Sequence, residues 1–208
     1  PSYGEKELAF FGGTFTAISI PLQKEFLSVA KEFIDKGLIK GIRLSTRPDN
    51  IDLNIVKMLK EYGVTTVELG VQSLDNKVLS LSERGYRKEE VERAVKLLKD
   101  FQIEVGIQIM PGLPGSSFKS DLQTVKEVIE MKPNFTRVYP TLVISDTKLE
   151  KMFKNNEFVP LSLDEAVDLT SVIIAVLENC KIPIIRVGLQ PSEDIREEGV
   201  IEIGRAHV

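Results

Sequence analysis

The amino-acid sequence predicts an α/β fold: a partial, TIM-like (β/α) barrel, with a curved parallel sheet of about six strands and helices on its convex face. Short β-rich runs alternate with helical patterns along the 208-residue chain, as parallel βαβ units require. The strands also keep one apolar and one polar face, whereas a doubly wound sheet buries both.

The first strand is "ELAFF", from Glu7, and a glycine turn leads from it into a helix over 21–36. Pro21 is suited to open that helix and Gly37 to close it in a left-handed cap. "KGIRLS" follows, then a helix over 51–62 that "EYGV" ends in the same way. "TTVELGV" is the third strand, with a short helix near 75–81 and a longer one over 87–101. "IEVGIQIM" precedes a helix over 117–131, which "KPN" stops because proline cannot continue it. "FTRVYP", a helical segment near 147–154, a helix over 162–180 and "IPIIRVG" complete the series.

Side chains alternate between faces along a strand. Ile42 and Leu44 oppose Arg43, Ser45 and Arg47, and Val67, Leu69 and Val71 oppose Thr66, Glu68, Gly70 and Gln72. Ile103, Val105, Ile107 and Ile109 oppose Glu104, Gly106, Gln108 and Met110. The apolar set suits a coat of helices. The polar set would place Arg43, Arg137 and Arg186 against Glu68 and Glu104, as a structural ion network or as part of a ligand site. Gln72, Met110 and Tyr139 end their strands, at the rim where α/β barrels bind ligands.

Composition bounds the function. A hydrophobic share of 42% with 28% charged residues is that of a globular protein. No apolar run approaches the length that spans a bilayer as a helix. A net charge of −4 gives no electrostatic footprint for nucleic acid. Cys180 is the one cysteine, which excludes an internal disulfide and any cysteine cluster within the chain; at a helix end it is expected to be a small buried thiol. With no secretory pattern, the expected location is the cytoplasm. Both ends read as cut, so 1–208 is expected to be one domain of a longer protein. Its leading strand is then an unpaired edge, open to pairing with a second chain.

Five segments leave successive strand ends: "GGTFT", "STRPDNI", "GVQSLD" with "SERGY", "QIMPGLPG" and "VYPT". In that order they resemble the radical S-adenosylmethionine (SAM) superfamily, and within it the group containing the Elongator catalytic subunit and oxygen-independent coproporphyrinogen oxidase. "FFGGTFT" is similar to the glycine motif that holds the methionyl amine, "STRPD" to the motif after the next strand, and "QIMPGLPG" to that of the fifth. "RVGLQPSE" resembles bacterial members.

The resemblance implies roles. Gly12, Gly13 and Thr14 would hold the methionine part of S-adenosylmethionine, Gln72 a ribose hydroxyl, Arg84 the methionine carboxylate, and Met110 the adenine. Ser45 stands where many members carry glutamate, and Arg47 is the better candidate at that strand end. The family's 4Fe–4S cluster needs three cysteines in a CxxxCxxC loop after the first strand, and this chain has none of them. It begins at what would be the family's second strand, so loss of the first βα unit explains both absences.

The intact protein would then cleave S-adenosylmethionine reductively, drawing on an electron donor, and use the 5′-deoxyadenosyl radical to abstract hydrogen from a substrate. The fragment alone is expected to be inactive, with no catalytic or metal-binding residue of its own. A transfer RNA and a small molecule are both admissible substrates. Two other classes are a self-contained barrel enzyme of the aldolase or isomerase type and a degenerate, non-catalytic binding domain. The first needs a base at the rim, which Arg47, Gln72 and Arg84 do not supply; the second differs only upstream.

Overall fold

The computed structural model describes residues 6–188 and 200–202. Its main sheet has six strands, β1 (Glu7–Phe10), β2 (Gly41–Thr46), β3 (Val64–Gln72), β4 (Glu104–Ile109), β5 (Phe135–Val138) and β7 (Ile184–Val187), joined in the order β1-β2-β3-β4-β5-β7. Each strand lies beside its predecessor in the sheet. With right-handed crossovers, winding in one direction places every connecting helix on the same side. The fold class is therefore that of a partial (β/α) barrel, as the one-faced strands anticipate.

The helices are α1 (Ile20–Asp35), α2 (Leu53–Glu61), α3 (Asn76–Leu81), α4 (Lys88–Asp100), α5 (Phe118–Glu130), α6 (Lys148–Lys154) and α7 (Leu163–Asn179). Gly37 (φ 67°) and Gly63 (φ 83°) cap α1 and α2 in the left-handed region, where glycine carries no Cβ penalty. Two short strands, β6 (Val143–Ile144) and β8 (Val200–Glu202), pair antiparallel; the sequence pattern gives no sign of either. The "RVGLQPSE" segment runs past Gly188 and lies outside the described residues.

The chain divides into two compact units. One comprises Pro1–Val71, Lys88–Gln108 and Pro133–Phe135, and the other Gln72–Arg87, Ile109–Lys132 and Thr136–Val208. In the first unit Leu27, Ala30, Val56, Leu59, Val91, Ala94 and Leu98 come from helices and Ile42, Leu44, Val67, Leu69, Val105 and Ile107 from strands, all with no exposed surface. Leu169, Ile173 and Leu177 of α7 and Val125 and Val128 of α5 form the corresponding core of the second. Cys180, expected to be buried, is exposed: the chain leaves α7 just beyond its last buried residue, Leu177.

On the opposite face of the first unit the polar residues meet one another. Glu68, 0% exposed, accepts from Arg43 Nη1 at 3.4 Å and Gln108 Nε2 at 3.3 Å. Arg43 also pairs with Glu7 at 3.1 Å. Its guanidinium lies 5.0 Å above the Phe135 ring, and Gly106 makes room for that ring, because a Cβ there would sit 2.2 Å from Phe135 Cε2. Arg43, Glu68 and Gln108 thus share the polar face while Ile42, Leu69 and Ile107 fill the core. Arg43 meets Glu68 as expected, and the other partners differ. Arg43 takes Glu7, which the strand pattern did not single out, and Glu104 is exposed and accepts only a 3.4 Å bond from Thr66 among its described contacts. In the second unit Arg137 stands beside Arg186 in register and donates to Tyr139 Oη at 3.3 Å.

The β2–β3 register slips between Ile42↔Val64 and Arg43↔Thr66, leaving Thr65 as the extra residue of a bulge. The bulge turns the Thr65 hydroxyl onto Glu7 Oε1 at 3.0 Å and the Ile42 carbonyl at 3.1 Å. Gly41 is needed opposite it, since a Cβ there would lie 2.2 Å from Thr65 Cγ2. Because the slip precedes Thr66, the alternation over 66–72 is undisturbed.

Removing the cation from a buried pair costs more than neutralising its acid. Arg43→Met is expected to destabilise the protein by about 3 kcal/mol, and Glu68→Gln, which keeps one acceptor oxygen for Arg43 and asks the Gln108 amide to turn its oxygen toward the new NH2, by about 1 kcal/mol. Urea unfolding followed by circular dichroism measures both. Equal losses would mean that the charge on Glu68 does not need Arg43.

Candidate functional site

The site candidates fall into two sets, one in each unit. In the first, β1 ends at Phe10 and the backbone turns at Gly12, with φ at 103°, in a region only glycine enters freely. Gly13 has no such demand. A Cβ on either glycine would meet nothing within 4 Å, so packing does not require the pair and their backbone lies open to an approaching group. Gly13 and Thr14, with Phe10, Phe11, Phe15, Ile18 and Phe26, border an apolar cleft of about 220 Å³.

The far side of this turn is fixed from below. A 3-10 turn over Phe15–Ala17 begins with Ala17 N–H donating to the Thr14 carbonyl at 3.0 Å. Thr16 Oγ1 is 2.5 Å from Thr46 Oγ1 at the end of β2. Gln23 of α1, wholly buried, donates Nε2 to the carbonyls of Thr16 at 3.2 Å and Ile18 at 2.7 Å. Of the two candidates after β2, Ser45 lies 3.4 Å from Gln108 Nε2, within the Glu68 network. Arg47 forks onto Asp49 with bonds of 2.9 and 2.7 Å, a bidentate match to a carboxylate; "TRPD" supplies its own counter-ion.

In the second unit the residue that ends β3 is the most constrained. Gln72 has φ at 64°, uncommon and strained for a residue with a Cβ. It is 8% exposed, and its Oε1 has no hydrogen-bond partner among the described residues. A buried carboxamide oxygen left unpaired costs about 1–3 kcal/mol, so the atom fits a site that a hydroxyl or amide donor fills. Its carbonyl accepts from Met110 N–H at 2.9 Å, which joins the ends of β3 and β4. Arg84, half-buried between Glu83 (φ 50°) and Gly85 (φ 76°), lies 5.9 Å from the Tyr86 ring. Glu83 in turn pairs with Lys148.

The "MPGLPG" loop that follows turns at Gly112 (φ 82°) and Gly115 (φ 78°), and α5 holds it. Asp121 Oδ2 accepts from Gly112 N–H at 3.0 Å, and Thr124 Oγ1 accepts from Leu74 N–H at 3.1 Å, 3.3 Å from Ser73 Oγ. Burial pushes the Asp121 carboxyl up to about 6, against the opposing pull of the Gly112 and Ser116 hydrogen bonds and with a smaller push from Asp75.

Gln23, Ser73, Asp121 and Thr124 are the site-supporting residues that motif reading passed over. The signal for three of them was present: Gln23 precedes Leu27 and Ala30 on the buried stripe of α1, and Asp121 and Thr124 share a stripe with Val125 and Val128. A polar residue at a core position of a helical period must have a partner inside.

Comparison with known proteins agrees with the motifs. The chain belongs to the radical SAM superfamily, which residues 1–128 match, while 133–205 match the radical SAM C-terminal domain. It is 32% identical over 191 residues to a tRNA uridine(34) acetyltransferase of Methanocaldococcus infernus, covering 82% of this chain and 36% of that protein. With Elongator complex protein 3 of Saccharomyces cerevisiae it shares 29% over 197 residues, 85% of this chain and 35% of the other. The chain therefore spans about a third of the length of the curated relatives it matches. Among solved structures, the archaeal M. infernus Elp3 with an N-terminal deletion superposes with a TM-score of 0.77 at 32% identity, over 93% of this chain and 49% of that one. Coproporphyrinogen III oxidase from Escherichia coli, a radical SAM enzyme, gives 0.65 at 21% over 84% and 40%, a likeness of fold alone.

Asp121 should leave a signature in stability. Its carboxyl titrates at about 6 in the fold and at its ordinary 3.8 when unfolded, so the protonated form is favoured by folding. That contribution is complete below 3.8 and is lost as pH rises through 6. Asp121→Asn, neutral throughout and still able to accept from Gly112, is expected to gain on the wild type by up to about 3 kcal/mol between pH 4 and pH 7.5. Urea unfolding across that range measures the difference; parallel profiles would show that Asp121 is not desolvated.

Proposed function

We propose that this chain is the S-adenosylmethionine-binding core of a radical SAM enzyme that acts on transfer RNA in the cytoplasm. The observation that carries this reading is the buried Gln72 carboxamide oxygen, unpartnered among the described residues, in a chain of that superfamily. A ribose hydroxyl can donate to Oε1 and accept from Nε2. The open backbone at Gly12 and Gly13, with Thr14, would receive the methionyl amine. Arg84 offers a guanidinium suited to the methionine carboxylate, and Met110 a half-buried apolar side chain for the adenine. At the β2 end, Arg47 would have to exchange Asp49 for a ligand carboxylate, and Ser45 contributes a hydroxyl.

When bound beside a 4Fe–4S cluster and fed by an electron donor, S-adenosylmethionine supplies one-electron cleavage chemistry and hydrogen-atom abstraction. The cluster's thiolates do not come from this chain. Cys180 is its only cysteine, and no group of three His, Cys, Asp or Glu residues that could hold a metal occurs among the described residues. The residues here bind and orient; none is assigned a catalytic step. Support for transfer RNA as the substrate is the name of the M. infernus relative.

Calorimetry on the full-length gene product tests the cofactor. Gln72→Ala is expected to weaken S-adenosylmethionine binding about tenfold with an unchanged far-ultraviolet spectrum. A wild type that does not bind would end the reading. Filter binding of transfer RNA tests the substrate, and no retention at physiological salt would remove that part alone.

A further inference from the structure

α5 begins beyond the glycine loop, with Ser117 as N-cap and Ser120 completing a capping box, and its first two turns carry two polar residues on the buried stripe. Asp121 and Thr124 are both buried, and each holds a different loop. Thr124 Oγ1 takes the Leu74 amide at 3.1 Å and meets Ser73 Oγ at 3.3 Å, while Ser73 Oγ accepts from Asp75 N–H at 3.1 Å. Asp121 Oδ2 takes the Gly112 amide at 3.0 Å. The two loops are also joined to each other by the 2.9 Å bond from Met110 N–H to the Gln72 carbonyl.

These contacts fall at informative places in the chain. Ser73 and Leu74 directly follow Gln72, whose left-handed backbone (φ 64°) would relax toward an ordinary region if the next residues were free to turn. Gly112 lies two residues past Met110. A helix is stiff along its own length, and Asp121 and Thr124 are three residues apart, one turn of one face. We infer that Asp121 and Thr124 are positioning residues, a brace on α5 that fixes the Gln72 carboxamide and the Met110 backbone for the nucleoside half of the cofactor. The inference rests on the cofactor reading above. Neither side chain touches the ligand; each acts through a loop amide. The bonds that oppose relaxation of Gln72 are donated by the Leu74 and Gly112 backbone N–H groups.

The test is binding without turnover, on the full-length gene product, with S-adenosylmethionine and with 5′-methylthioadenosine, which carries the nucleoside and lacks the amino and carboxyl groups. Thr124→Val keeps shape and removes the acceptor; it is expected to weaken both probes by a similar factor, about tenfold, at a temperature well below its melting point. Thr124→Ser restores the hydroxyl and should restore the affinity. Asp121→Ala is an independent second variant with the same expectation, and Asp121→Asn should retain most of the affinity because its carbonyl oxygen still accepts from Gly112. Unchanged affinities in both Thr124→Val and Asp121→Ala would overturn the brace while leaving the cofactor reading intact. Failure of Thr124→Ser to rescue would also overturn it, because packing of the methyl group would then be the cause. A wild type that binds neither probe would instead overturn the cofactor reading, and the brace with it.

Discussion

Glu68 is a carboxylate with no surface exposure, and a charge taken out of water is tolerated only where an opposite charge and hydrogen bonds replace the lost hydration. Arg43 supplies the charge and Gln108 a further donor. Their presence makes one face of β2, β3 and β4 polar, and that face cannot also receive the apolar stripe of a helix. The helices are thereby confined to the other face. The sequential strand order follows, since a sheet coated on one side is wound in one direction. The ion pair in the strand interiors thus sets the polar face of β2, β3 and β4.

At the strand ends the chemistry changes. There the backbone takes conformations it would not choose alone, glycine at 12 and 112 and a strained glutamine at 72, and polar side chains from helices bond in or just after each turn: Gln23 to the carbonyls of Thr16 and Ile18, Thr124 to the Leu74 amide, and Asp121 to Gly112 itself. In the first unit the Gly12–Gly13 backbone has no side chain packed against it, and in the second the Gln72 carboxamide oxygen has no partner among the described residues. Side chains locked by hydrogen bonds beneath a loop are what a preorganised binding loop requires.

The fold was legible because its signals are local and repeated. Alternating faces in β2, β3 and β4 are visible in any one of the strands, and the Thr65 bulge falls ahead of the residues that show the pattern in β3. Glu7 was not legible as the partner of Arg43, because β1 has four residues and too few alternations to show a face. The bulge itself depends on pairing with β2, so it has no local trace. β6 and β8, of two and three residues, carry no period at all. The glycine turn and Gln72 were singled out through motif order. Asp121, Thr124 and Gln23 were readable only as polar residues in apolar stripes, a weaker cue that motif reading does not exploit. Cys180 ran against expectation because general preference for buried thiols says nothing of where a particular helix stops.

Gly106 shows how such a sheet propagates damage. The missing side chain at 106 gives Phe135 its berth, and Phe135 gives Arg43 the surface it lies on. A methyl group added at 106 would fall 2.2 Å from the Phe135 ring and force it to shift, and the shift disturbs the surface on which the Arg43 guanidinium lies. An alanine there alters neither charge nor polarity, yet its effect reaches a charged side chain two strands away, because Phe135 stands against both. Judged by chemical similarity the exchange is among the mildest available; judged by what stands on it, it is not.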